Sequence, residues 1–141
     1  MLVMLYFAVS STLTARQMKE QNRIEFTARV NILCELPISD VDLCNMVGNI
    51  LENAVIACQK TEEKMIQLTI LTEDQIQLYI VAVNTFDGIV RKRNEQYLST
   101  NRNQDGIGLS SIASTAKSYG GIAQFSHEGN RFYSNVAIPL S

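Results

Sequence analysis

Apolar residues recur every three to four positions between Val41 and Lys60. Leu43, Val47, Ile50, Leu51, Ala54 and Cys58 fall on one face of a helix, with Asn45, Asn49, Glu52 and Asn53 on the other. Upstream, Ile24, Phe26, Ala28, Val30 and Ile32 alternate with polar partners and predict a half-buried strand. The stretch Leu36-Pro37-Ile38-Ser39-Asp40 reads as a turn whose Ser39 or Asp40 caps the helix. Ile66, Leu68 and Ile70, a turn from Thr72 to Gln75, and the alternation Ile76, Leu78, Ile80, Ala82 running into Asn84 predict an antiparallel hairpin. A helix is expected from Ile107 to Tyr119, apolar at Leu109, Ile112, Ala113 and Ala116 and closed by Gly120-Gly121. A second hairpin follows, Ile122–Ser126 and Arg131–Ile138 about a turn at His127-Glu128-Gly129-Asn130. The segment up to Gln21, free of Gly and Pro, predicts a helical lead-in. This order predicts a two-layer α/β (α+β) sandwich, helices on one face of a mainly antiparallel sheet, with no repeat and no linker.

Composition narrows this picture only slightly. The 141 residues suffice for one domain, 46% are hydrophobic, and the net charge of −2 lacks the basic excess of a nucleic-acid surface. Three cysteines, Cys34, Cys44 and Cys58, are odd in number and lack metal-type spacing, so buried reduced thiols in a cytosolic compartment are expected. The opening MLVMLYFAV is too short to span a bilayer and lacks the flanks of a signal peptide. It also fits the stump of a longer helix, as in a piece of a larger protein.

Two stretches sit badly with stability alone. The helix at 41–60 spends three asparagines and Gly48 on positions where Lys, Glu or Arg would favour helix by roughly half a kcal/mol each, and Ala over Gly by about one. A drifting solvated face would look similar; carboxamides at spacing four aimed at a ligand or at a metal ion's oxygen shell are the sharper reading. From Thr85 to Asp105 no periodicity exists, and compact domains use such long loops as lids or linkers. This loop carries Arg91, Lys92, Arg93 and Arg102 against three acids. It exits through Asp105-Gly106-Ile107-Gly108-Leu109 into a helix, where backbone N–H groups and the dipole favour an anion.

Together these parts resemble the GHKL ATPase superfamily, and within it the catalytic, ATP-binding domain of sensor histidine kinases. Asn49-Ile50-Leu51-Glu52-Asn53-Ala54 resembles the asparagine box, Val83-Asn84-Thr85-Phe86 the start of the first glycine box, and Gly106-Ile107-Gly108-Leu109 the second. The stretches DLCNMVGN, NTFDG and YLSTN are most similar to peptide-pheromone-sensing kinases. The resemblance covers about Ile24 to Leu140. It implies the GHKL (Bergerat) fold, a mixed, mainly antiparallel sheet covered by three helices. Residues 23–141 would form the catalytic domain and 1–22 a remnant of the dimerisation junction.

The resemblance also implies roles. Asn53 would offer its carbonyl to Mg²⁺ held by the phosphates of ATP, and one neutral oxygen suffices for a cation that keeps its waters. Asn49 would stand on the phosphate side, where an amide, unlike a carboxylate, cannot act as a general base for hydrolysis. Glu52 would help activate an acceptor histidine on another domain, although a plain surface carboxylate fits equally. Asn84 would accept the adenine amino group, Arg102 in the lid and Gly106 and Gly108 would approach the phosphates, and Leu109 would start helix packing. Ile56, apolar on the polar face, would line the pocket, although a stray exposed isoleucine would read the same.

Two departures qualify the resemblance. Asn84 stands where most members carry Asp, and the first glycine box is reduced to N-T-F-D-G, keeping only Gly88. The one histidine, His127, lies in a hairpin and not on a preceding helix, so it reads as a surface residue and not as a phosphoacceptor. Function is therefore expected to be γ-phosphate donation to a histidine on a separate dimerisation domain, and through it to a response regulator. The domain would lie in the cytoplasm, as part of a membrane-anchored sensor, without touching membrane or nucleic acid. Alternatives are a nucleotide-binding regulatory module without phosphotransfer and an anti-sigma-type serine kinase.

Overall fold

A computed structural model describes residues 24–90, 92–93, 96–97 and 107–141. The expected lead-in helix up to Gln21, and Arg102 and Gly106, lie outside these residues. The elements are β1 (Glu25–Asn31), α1 (Asp40–Cys58), β2 (Met65–Glu73), β3 (Gln77–Thr85), β4 (Lys92–Arg93), β5 (Gln96–Tyr97), α2 (Ile107–Ser118), β6 (Ile122–Glu128) and β7 (Arg131–Pro139). Five strands form one sheet in the order β1-β2-β3-β7-β6, and β4 pairs with β5 in a separate short ribbon. Among the described residues only β1 and β2 run parallel, joined by α1 as crossover, and the other pairs are antiparallel. The expected sandwich is therefore present, with two of its helices among the described residues.

Helix α1 begins where Ser39, in extended conformation, accepts the Asp42 N–H on its side chain at 3.1 Å. Its buried face comprises Leu43, Met46, Val47, Ile50, Leu51, Ala54, Val55 and Cys58. That face is broader than the six residues of the periodicity because Met46 and Val55 are enclosed at the two flanks. Although α1 is long and apolar enough to cross a membrane by length and composition, its apolar side is the core of the domain. Each fully enclosed Leu or Ile there contributes about 1.5–3 kcal/mol. Helix α2 ends in a Schellman motif: Gly120, at φ 75°, donates to Lys117 O, and Gly121 donates to Ala116 O. Gly121 must lack a side chain, because a Cβ would stand 2.3 Å from the Ala137 carbonyl oxygen.

The helix-side face of the sheet carries Ile66, Leu68 and Ile70 of β2, Leu78, Ile80 and Ala82 of β3, and Val136 and Ile138 of β7, all buried. Three expectations change. Val30 is 41% exposed although it alternates correctly, because β1 is the edge strand and packs only against β2. Ile76 is 64% exposed because it belongs to the β2–β3 turn: Glu73 O accepts its N–H at 2.8 Å, and Asp74 and Gln75 both hold positive φ. His127 belongs to β6, since Glu128 pairs with Arg131 and the turn is only Gly129-Asn130. The cysteines are all free, but only Cys58 is buried; its enclosure pushes the thiol up to about 11.

Candidate functional site

The two helices lie antiparallel across the sheet. Tyr119, just past α2, reaches the first turn of α1, where its hydroxyl donates to Asp42 Oδ2 and accepts the Ser39 N–H at 3.3 Å. At the opposite end the start of α2 meets Asn53, near the end of α1. A Cβ on Gly108 would stand 2.8 Å from Asn53 Nδ2 and 3.3 Å from its Oδ1. A side chain at 108 would therefore displace the Asn53 carboxamide, which rests against the opening turn of α2.

Asn53 Nδ2 is buried and finds no hydrogen-bond partner among the described residues. Leaving a buried amide unpaired costs about 1–3 kcal/mol, and Gln59 Nε2 at the end of α1 is unpaired as well; what sets Asn53 apart is its contact with Gly108. Its neighbour is the first turn of α2, whose N–H groups also lack helical acceptors. An anionic oxygen placed between them satisfies both, and the adjacent Oδ1 offers one neutral ligand to a hard cation. Among the described residues no three His, Cys, Asp or Glu side chains converge. A Mg²⁺ ion here would therefore rest on Asn53 and on oxygens of its own ligand, which fits the donor set present.

Asn49, half-buried, stands one helical turn before Asn53 on the same flank. Glu52, also half-buried, is rotated by roughly 100° about the axis, so Asn53 and not Glu52 faces Gly108. Half-buried Ile56 follows Asn49 around the open side of α1. Leu109, 7% exposed, joins the core and seats α2. Asn84 sits on the helix-side face of β3 and is 3% exposed. Its Nδ2 donates to the Thr85 carbonyl at 3.0 Å, which leaves Oδ1 as an acceptor. A carboxylate in the same pose would set an oxygen against that carbonyl, which explains an amide here.

The loop residue sequence reasoning passed over is Phe86, 4% exposed, whose N–H donates to Asn130 O at 3.0 Å. Its departure from glycine in the N-T-F-D-G stretch was the available signal.

The fold and the site define a two-layer α/β domain that opens a glycine-fronted helix onto an asparagine-bearing one. The chain belongs to the GHKL domain family, which its residues 38–139 match. No curated protein matches it by sequence. Among solved structures it is similar to the mycobacterial sensor histidine kinase MprB, at 16% identity and TM-score 0.69, over 94% of this chain and 93% of that one. It is similar to the catalytic domain of histidine kinase ThkA, at 16% identity and TM-score 0.72, over 99% and 92%. Full-length ShkA in complex with AMPPNP aligns at 18% identity and TM-score 0.73, over 98% of this chain but 29% of that one. At these identities the likeness is one of fold. In the Erythrobacter litoralis blue-light activated kinase the chain spans 61% of the histidine kinase domain.

Proposed function

We propose that this chain is the ATP-binding catalytic domain of a two-component histidine kinase, donating the γ-phosphate of Mg·ATP to a histidine on a separate dimerisation domain. The observation that carries the reading is the unpaired, buried Asn53 amide laid against Gly108 at the start of α2. An anion and its cation complete that arrangement, and phosphate oxygens with Mg²⁺ supply both. The AMPPNP held by full-length ShkA, which shares the fold, supports a nucleotide as that ligand. Asn49 then positions the phosphates without serving as a base, so that transfer is favoured over hydrolysis. Glu52, facing away from Gly108, is assigned to the approach of the acceptor domain. Asn84 reads the adenine amino group through Oδ1, and Arg102 and Gly106 contact the phosphates. Residues 1–22 are the junction to the acceptor helices. The resemblance of the motifs supports a parent kinase of the peptide-pheromone-sensing type, with this domain in the cytoplasm beneath a membrane anchor and upstream of a response regulator.

Calorimetric titration with Mg·ATP, followed by transfer from labelled ATP to the kinase's own acceptor domain supplied in trans, tests the reading. Saturable one-site binding and an acid-labile, alkali-stable phosphate on that domain are expected. The isolated chain should not label itself, since its one histidine, His127, lies in strand β6 and not on an acceptor helix. Binding without transfer would leave a regulatory nucleotide module; label on serine of a partner would mark a serine kinase.

A further inference from the structure

Outside the main core lies a second, smaller cluster. The ring of Phe86 stands edge-on to Phe132, with centroids 5.8 Å apart, and edge-on to His127 at 6.1 Å. Phe86 is 4% exposed yet takes no part in the core beneath the helices. The register shows what the cluster adjoins. Ile66, Asn84, Phe132 and His127 are successive partners across β2, β3, β7 and β6, one row on the helix-side face. Phe86 follows Asn84 by two residues and closes over that row, while its N–H is held by Asn130 O in the β6–β7 hairpin. Three aromatic rings and one backbone bond thus clamp the exit of β3 immediately after Asn84. The amide of Asn84 is oriented by the carbonyl of Thr85, the residue between it and Phe86. Any rotation of the chain at Phe86 turns that carbonyl and with it the acceptor Oδ1.

We infer that Phe86, held by Phe132 and His127, is the positioning residue that aims Asn84 at the base of the bound nucleotide. This rests on the proposed nucleotide site and adds its base-selecting half. A neutral amide accepts a hydrogen bond more weakly than a carboxylate, so its selectivity depends on being held still. Edge-to-face ring pairs attract beyond what their burial supplies, which favours one position of the chain at Phe86. The clamp acts on the base end alone, because the phosphate end is built from Asn53 and Gly108 on other elements.

The test compares Mg·ADP, Mg·IDP, which lacks the exocyclic amine, and Mg·tripolyphosphate, which lacks the base, on the full chain by calorimetry. The wild type should prefer ADP over IDP by about tenfold, the value of one good hydrogen bond. His127→Ala, at an exposed position that does not hold the fold, should lower the preference about threefold and Phe86→Ala should bring it to parity. His127→Phe, which keeps a ring, should restore it. Tripolyphosphate affinity should stay within about twofold throughout, since none of these groups meets the phosphates. An unmoved preference in both alanine variants, a wild type that takes both diphosphates equally, or tripolyphosphate binding lost in parallel each overturns the inference. A wild type that binds no nucleotide overturns the site reading itself, and this one with it.

Discussion

The two ends of the α1–α2 pair differ in how they treat polar groups. At the Tyr119 end the polar groups partner one another: the hydroxyl bridges Asp42 and Ser39, and Ser39 caps the helix. At the Gly108 end a buried amide stays without a partner, pressed against a helix start that needs acceptors of its own. The helices, the sheet beneath and the packing are the same. What differs is the chemistry left over. The closed end is stabilised by its own contacts, and the open end is stabilised only when something else arrives. The proposed function takes this difference as the mark of the ligand side.

The sharpest way to break the comparison is Asn53→Ala. Calorimetry should show Mg·ATP affinity falling by about two orders of magnitude, as for loss of a charge-assisted bond. Thermal unfolding should stay level or improve, because an unsatisfied amide has been removed. A large drop in melting temperature would mean that the amide is structural and the ends do not differ. Gly108→Ala comes next: a Cβ 2.8 Å from Asn53 Nδ2 forces the carboxamide aside. An affinity loss of about tenfold is expected, with little net change in stability, since overpacking of about 1–3 kcal/mol opposes a helix-propensity gain near one. Tyr119→Phe should do the reverse. Loss of its hydroxyl bonds should cost about 0.5–1.5 kcal/mol in chemical denaturation, with Mg·ATP affinity unchanged within about twofold. Coupled loss of affinity would show that the closed end tunes the open one.

The smallest effect concerns Gly48, in the middle of α1. A Cβ there meets nothing within 4 Å, unlike the one at Gly108. Gly48→Ala should therefore raise stability by about 0.5–1 kcal/mol in urea unfolding without altering nucleotide affinity. Destabilisation would reveal a close neighbour on that flank.

Much of this domain was legible along the chain. The 3.6-residue period of 41–60 predicts α1 and the face it buries, with Met46 and Val55 missed because flank positions are decided by what packs beside the helix. Alternation predicts β1, β2 and β3, the turn before Arg131 predicts the last hairpin, and the paired glycines predict where α2 ends. The boundaries misjudged, at Ile76 and His127, are places where turn geometry overrides alternation: two positive-φ residues in one, a two-residue turn in the other. The asparagines singled out as poor choices for a solvated helix include Asn53, whose amide is one of two buried amides left unpaired among the described residues, with that of Gln59.

Local matters follow from the order of residues alone: which of them prefer helix or strand, which face is apolar, and which positions carry chemistry at odds with stability. Only the tertiary structure decided which of those residues meet. It set β1 parallel at the edge, where Val30 stays exposed, and turned Asn53 but not Glu52 toward Gly108. It joined Tyr119 to Asp42, 77 positions apart, and closed Phe86 on His127 across the β6–β7 hairpin. The physical reason is that period and propensity act through neighbours along the backbone. Proximity across the fold depends on strand order and on where glycine lets two elements touch, and neither leaves a periodic trace in sequence.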